Sequence, residues 1–368
     1  METSSEPVSS KASAEGGVPC RAPRRVAVVT SDVPFVEGGH RRIAEGLAAA
    51  LRRAGHQAEV IPTPQNRFGR QLSAYLATWL TDVGESGDGV PVDQVISLRY
   101  PSYAVRHRRH ICWLNHRMRE YYDLWPRFAR QLSWKGRIKE TIRRSVIRAV
   151  DRYLLPRNVT HLYAQSKTVQ DRLERWGGIP SEVVYPPPPD RPYRTEAYEN
   201  YVFAVSRLHS LKRLDLLVKA MKHVKSQELR AVIAGTGEEE DTLRRLAGEL
   251  GVASRVSFLG WIDDDELVHH YARCRAVFFA PFMEDFGFVT VEAFRSGKPV
   301  MTCLDSGGPA ELVAHGRSGY VLLPGPHFLA RQLDVWAAER ELAVRMGELG
   351  KQSARGITWE AALDKLLR

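Results

Sequence analysis

Residues 186–189 are four consecutive prolines, and Pro192 follows closely. Proline donates no backbone hydrogen bond and has a fixed φ. Such a run is therefore excluded from helix interiors and central strands and favours extended chain. It divides whatever this chain folds into two parts. The same alternation of short β-branched runs and helical apolar spacing occurs on both sides. Before the prolines, residues 24–30, 59–61, 95–98, 110–114, 160–163 and 183–185 read as strands, and 43–53 as a helix stopped at Gly55. After them, strands are expected at 201–205, 230–234, 256–259, 277–280 and 299–303. Helices are expected at 214–224, 241–250, 265–272, 288–294, 309–314, 328–349 and 359–367. Strands alternating with helices imply an α/β fold with parallel sheets. Two Rossmann-like doubly wound domains would then face a central cleft, with ligands at the carboxyl ends of their strands.

The 368 residues suit about two domains at roughly 150 residues each. The expected division is a disordered tail at 1–24, a first domain at 25–190, a second at 191–350, and a final helix at 351–368 crossing back to the first domain. The tail lacks the apolar core of a secretory signal. No stretch reaches the ~18 uninterrupted apolar residues of a spanning helix, which argues against an integral membrane protein. The cysteines, Cys20, Cys112, Cys274 and Cys303, have neither metal-ligand spacing nor a disulfide pattern, so a reducing cytosol and no metal are expected.

Net charge is +10, a balance that favours anionic partners. It is concentrated. Residues 106–157 hold fifteen Lys/Arg against four acids, a net +11, and leave the rest of the chain near neutral at −1. Within 134–153, Trp134, Ile138, Ile142, Val146, Ala149 and Tyr153 share one helix face, with Arg137, Arg144 and Arg148 off it. The plain reading packs that apolar face on the first domain and leaves the arginines in water. The functional reading is contact with an anionic membrane surface or a polyanionic acceptor. No aromatic-interleaved RNA motif accompanies the charge, so no nucleic acid is expected.

The densest chemistry lies in 284–292, Glu-Asp-Phe-Gly-Phe-Val-Thr-Val-Glu. One carboxylate stands in a strand-to-helix loop and the other inside the helix. Gly287 permits close backbone approach to a ligand, and free N–H groups at a helix start favour an anion. Spacing alone also fits a solvated Glu beside a capped helix. The ordered series around it resembles the retaining glycosyltransferases of the GT-B fold, glycosyltransferase family 4, and within it the bacterial mannosyltransferases. The hallmark is Glu284, Phe286, Gly287, Glu292 and Ala293. Gly297-Lys298-Pro299, Gly307-Gly308, Glu311-Leu312-Val313, Gly316 and Gly319 follow it. Arg207, Lys212, Gly235-Thr236-Gly237, Gly260 and Trp261 precede it in order.

The resemblance implies the following roles. Arg207 and Lys212 meet the donor diphosphate as catalytic cations. Glu284 orients the sugar and Glu292 the ribose. Phe286, Gly287, Phe288 and Val289 form the donor loop. Gly38 and Gly39 form an acceptor-side loop near the donor phosphates. Gly235 shapes the nucleotide floor, and Gly260 and Trp261 border the base, although Trp261 fits a core position equally well. His116, ending a strand, contacts the donor sugar, and Arg119, Tyr121, Tyr122 and Asp123 help form the acceptor site. The sequence departs from the family pattern at Asp285, where Gly is usual, and at Phe294. The expected function is metal-independent, cofactor-free transfer of a hexose from a nucleotide-diphosphate sugar to a hydroxyl acceptor. GDP-mannose is the first donor to consider, then UDP- or dTDP-sugars. The expected location is the cytoplasm, peripheral at the inner face of the membrane. The rivals are an inverting transferase or epimerase of the same fold, and a non-catalytic sugar-nucleotide or polyanion binder.

Overall fold

The computed structural model describes residues 22–32, 39–65 and 68–367. Gly38, Cys20 and most of the expected tail lie outside the described residues. The first half runs β1 (Arg25–Asp32), α1 (Gly39–Arg53), β2 (Gln57–Pro64), α2 (Gln71–Leu80), β3 (Gln94–Ser97), β4 (His110–Leu114), α3 (Trp125–Arg130), α4 (Trp134–Asn158), β5 (His161–Ala164), α5 (Lys167–Gly177) and β6 (Glu182–Val183). The second half begins with β7 (Tyr201–Val205), α6 (Leu214–Met221), β8 (Arg230–Ala234), α7 (Glu240–Glu249), β9 (Val256–Gly260), α8 (Asp264–Arg273) and β10 (Ala276–Phe278). It continues with α9 (Phe288–Arg295), β11 (Val300–Cys303), α10 (Gly308–Leu312), β12 (Gly319–Leu322), α11 (Pro326–Ala338), α12 (Arg340–Ser353) and α13 (Trp359–Leu366).

Two six-stranded parallel sheets result, ordered β2-β1-β3-β4-β5-β6 and β12-β11-β10-β7-β8-β9. The central strands are apolar on both faces, as helices covering both sides of a parallel sheet require; β3, β4 and β11 are buried throughout. The order reverses at β1/β3 in one sheet and at β7/β10 in the other. Ligands bind such sheets outside the strand ends at these switch points. The proline run joins the sheets as irregular chain, with Pro186 and Pro188 buried.

The last helix returns to the first sheet. Ala362, Leu363, Leu366 and Leu367 join the cluster of Val26, Val28, Leu47 and Trp113. The Trp359 ring meets Trp113 edge-on at 6.2 Å and lies where a Cβ on Gly46 would come within 2.6 Å of it. Each buried leucine contributes about 1.5–3 kcal/mol, so α13 is a firm anchor.

Three expectations needed correction. The helix expected over 328–349 is two helices, α11 and α12, broken at Glu339. β12, four residues long, was not expected. The third correction is larger: the apolar face of α4 does not pack on the domain. Trp134 is 70% exposed and Ile142 61%, with Ile138, Val146 and Tyr153 also exposed. The packed face carries Glu140, Ile147, Asp151, Leu154 and Leu155. The reason is polar. Asp151 is buried and accepts hydrogen bonds from the hydroxyls of Tyr75, Tyr103 and Tyr122, and Glu140 accepts one from Tyr121 at 2.6 Å and one from Arg143 at 2.6 Å. Burial pushes the Asp151 carboxyl up from the ordinary range. A buried carboxylate needs several donors to be tolerated, and this tyrosine cluster supplies them only if α4 turns its two acids inward. Tyr121 and Tyr122 therefore spend their hydroxyls on these two buried acids.

Candidate active site

The loops after β7 and β10 flank the switch point of the second sheet. Arg207 follows β7 and is exposed. Lys212 ends the short turn Ser210–Lys212. Its Nζ stands 2.6 Å from Oε2 of Glu284, in the loop after β10, so two of the candidate residues meet directly. Both are about one-quarter exposed, open to the cleft and still shielded enough for charge to act strongly. The Arg207 loop is held down by β8. Gly235 lies at φ +119, and a Cβ there would fall 1.9 Å from the Ser206 carbonyl oxygen. Gly235 thus serves close backbone packing beneath the cation loop.

The Glu284 loop is built tightly. Met283 sits at φ 51, a strained value for a residue with a side chain. The Glu284 N–H donates to the Ser306 carbonyl at 2.8 Å and its carbonyl accepts from Gly308 N–H at 3.0 Å. Gly287, at φ +82, precedes α9; a Cβ there would come within 2.5 Å of the Phe279 ring. Phe286 is buried and stacks on Tyr185 at 5.8 Å. Phe288 meets Phe286 edge-on, and its ring lies 3.6 Å from where a Cβ on Gly39 would stand. The starts of α1 and α9 therefore approach each other across the cleft. Free N–H groups at a helix start favour an anion. Val289 is partly buried against the second core.

From the first domain, His116 follows β4. Its Nδ1 is 2.7 Å from the Arg117 carbonyl oxygen. A carbonyl only accepts, so Nδ1 carries the proton and Nε2 is left as an acceptor. Burial pushes the imidazole pKa down to about 4, keeping the ring neutral. Beside it the domains are latched by charge. Arg172 binds the Asp285 carboxylate, and its Nη2 donates to the Met283 carbonyl at 2.6 Å. Arg119 also donates to the Met283 carbonyl, at 2.6 Å, and lies 3.6 Å from Asp285 and 2.9 Å from Asp123. Ser166 Oγ donates to the Asp285 carbonyl. Asp285, the residue that departs from the family pattern, is thus the second domain's charged contribution to this latch, beside the Met283 carbonyl. Arg99, after β3, is buried nearby, and burial lowers its pKa to about 10.

Glu292 is buried and already held. Oε1 accepts from Arg191 at 2.7 Å and Tyr193 at 3.3 Å, and Oε2 from Tyr271 at 2.9 Å. A ribose would have to use the lone pairs these donors leave open. Gly260, at φ +72, accepts from Gly235 N–H at 2.6 Å, and Trp261 is 74% exposed, which rules out the core position. So the structure pairs Glu284 with Lys212 and Phe288 with Gly39, sets the loop of His116 against Asp285 through Arg119, and holds Glu292 apart in its own network. Sequence reasoning missed Arg99, Arg172, Arg191, Tyr193 and Tyr271. Among the described residues, no three His, Cys, Asp or Glu side chains stand together as metal ligands.

Comparison with known proteins follows the same lines. Residues 191–353 match the family described as Glycosyl transferases group 1, so this half of the chain carries a domain of that family. The D-inositol 3-phosphate glycosyltransferase of Corynebacterium glutamicum is 35% identical over 172 residues, 44% of this chain and 41% of that protein. The GDP-mannose-dependent alpha-(1-6)-phosphatidylinositol monomannoside mannosyltransferase of Mycobacterium tuberculosis is 34% identical over 183 residues, 45% of this chain and 47% of that protein. The matches span less than half the length of these relatives. Over nearly whole chains, the fold matches that of Anabaena HepE, solved with UDP and glucose, at TM-score 0.66 and 19% identity, covering 93% of this chain and 99% of that one. It also matches sucrose-phosphate synthase from Thermosynechococcus elongatus at TM-score 0.72 and 18% identity, covering 94% and 98%. The architecture is the GT-B fold.

Proposed function

We propose that this chain, whose second half is a group 1 glycosyltransferase domain, is a retaining glycosyltransferase that moves a hexose from a nucleotide-diphosphate sugar to a hydroxyl acceptor. The observation that carries the reading is the Lys212–Glu284 pair, 2.6 Å apart at a switch point, with Arg207 in the same loop as Lys212 after β7. A donor diphosphate would take over Lys212 and Arg207, whose positive charge stabilises the negative charge growing on the leaving group. Glu284, released from Lys212, would then accept hydrogen bonds from sugar hydroxyls. His116 Nε2 would accept one from the other side of the cleft. In the same-face course we propose, a phosphate oxygen of the departing diphosphate takes the acceptor's proton. These protein cations supply the charge that a metal would otherwise supply, so we propose transfer without a metal. Closure of the two domains around the donor would exclude water.

GDP-mannose is the first donor to try, because one relative is named for it; UDP-sugars come next, because HepE was solved with UDP. A thermal-shift panel of GDP-, UDP- and dTDP-sugars identifies the donor through ligand stabilisation without an acceptor. Proton NMR of the product then reads its anomer. A product of inverted configuration would replace the retaining assignment, and no stabilisation by any of these donors would remove the transferase reading. The net +11 of residues 106–157 supports a second element of the proposal, peripheral attachment at the cytoplasmic face of an anionic membrane.

A further inference from the structure

The outward face of α4 has a counterpart on α2. Leu72, Leu76, Trp79 and Leu80, at helical spacing, are exposed, Leu80 by 63%. Two helices therefore turn apolar stripes away from the protein they belong to. The stripes adjoin. One open groove runs between Leu72, Leu76 and Trp79 of α2 and Tyr153 and Arg157 of α4. Another joins Leu72 to Ile142 and Val146. The result is one continuous apolar surface of two helices, of the kind that marks an interaction site when exposed.

Its charge identifies the occupant. α2 has no charged residue, and the only acids of α4, Glu140 and Asp151, are buried. All the exposed charge on these two helices is therefore positive, with Lys135, Arg137, Lys139, Arg152 and Arg157 exposed along α4. At its rim, cations lie over aromatic rings: Arg106 over Trp79 at 4.5 Å, Lys135 over Trp134 at 5.4 Å and Arg157 over Tyr153 at 4.2 Å. Aromatic rings beside Lys and Arg, around an apolar centre, match the layering of a bilayer interface: acyl chains below, headgroups at ring height, anionic phosphates above. A protein partner would need acids facing these cations and gains nothing from the cation–aromatic rim.

We infer that the joint α2–α4 surface inserts its apolar side chains into an anionic bilayer, so that attachment is partly hydrophobic and more than electrostatic. This deepens the proposed membrane association and rests on it. The face also lies near the cleft: α3, leading into α4, donates from Arg127 to Ser210, in the turn that ends at Lys212, at 3.2 Å. A docked protein would thus hold its cation loop close to the lipid headgroups.

The test is flotation of the full chain with phosphatidylcholine vesicles, with and without phosphatidylglycerol, at low and high salt. Wild-type protein should float with the phosphatidylglycerol vesicles only, and high salt should reduce this without abolishing it. Trp134→Ser combined with Ile138→Ser and Ile142→Ser changes only exposed side chains. It should reduce flotation about tenfold, and Leu72→Ser with Leu76→Ser should do the same from the other helix. Both variants should keep the wild-type thermal shift with the donor. Wild-type protein that stays off phosphatidylglycerol vesicles, or variants that float as wild type does, would overturn the inference. So would variants that convert a wild-type dimer to monomer in sedimentation, because the occupant would then be a second copy. Intact flotation with no response to any nucleotide sugar would uphold this inference and reject the transferase reading.

Discussion

Replacing Asp285 by Asn tests how the two domains are held together. Burial pushes its carboxyl up, but Arg119 and then Arg172 more than offset this and hold it at about 2. Against an ordinary aspartate near ~3.9, that gap corresponds to about 2–3 kcal/mol favouring the charged, latched form. The folded pKa is depressed, so this contribution is complete above pH ~4 and lost as pH falls toward ~2. At neutral pH, Asp285→Asn forfeits it and leaves Arg119 and Arg172 to share the Asp123 carboxylate. The expected loss is about 2–3 kcal/mol, or about 30- to 150-fold in the closed-to-open ratio, at 1.4 kcal/mol per tenfold. Urea unfolding of wild type, Asp285→Asn, Arg172→Met and the double variant gives the coupling between the two side chains, expected at about 1–3 kcal/mol. Small-angle scattering should show the Asn variant expanded. A coupling below about 0.5 kcal/mol with unchanged scattering would refute the latch.

Other consequences follow from the same geometry. Lys212→Ala should weaken donor binding about 10- to 100-fold by calorimetry while leaving the free nucleoside unaffected, because the lysine serves the diphosphate. His116 stays neutral until pH nears about 4. Between pH ~6.5 and ~4 the unfolded chain therefore binds a proton that the folded site refuses, and stability falls as pH falls through that window. His116→Asn should flatten the slope of urea stability against pH there by up to about one proton. Chelation of divalent cations should leave turnover of the purified enzyme unchanged, which a coupled assay for released nucleotide would show.

Much of the fold was readable because parallel sheets leave long apolar strands. β4, β7 and β8 coincide with their expected residues, each a run of mostly apolar side chains. β12 is too short, and too close to Gly316 and Gly319, to carry such a signal. Periodicity revealed that α4 has an apolar face, but not which way that face points. The direction was set by Asp151 and three tyrosines, the nearest of them 29 residues away. The candidate site divides in the same way. Glu284, Lys212, Arg207 and Gly287 stood out in sequence because each sits in a short local motif of the family the chain resembles. The partners of Asp285 and Glu292 did not, because Arg172 is 113 residues from one and Arg191 is 101 from the other. Such pairings exist only after both sheets have formed.

The most direct measurement of the central claim is donor turnover by wild type and Glu284→Gln, read as release of nucleoside diphosphate. Wild type should turn over at least one GDP-, UDP- or dTDP-sugar. Loss of about 100-fold in kcat is expected in the Gln variant, as when a group that positions the reacting sugar is weakened. Nucleotide binding should persist, because Arg207, Lys212 and the helix starts remain. Turnover equal to wild type in Glu284→Gln, with the donor still bound, would contradict the assignment of this cleft as the site of sugar transfer.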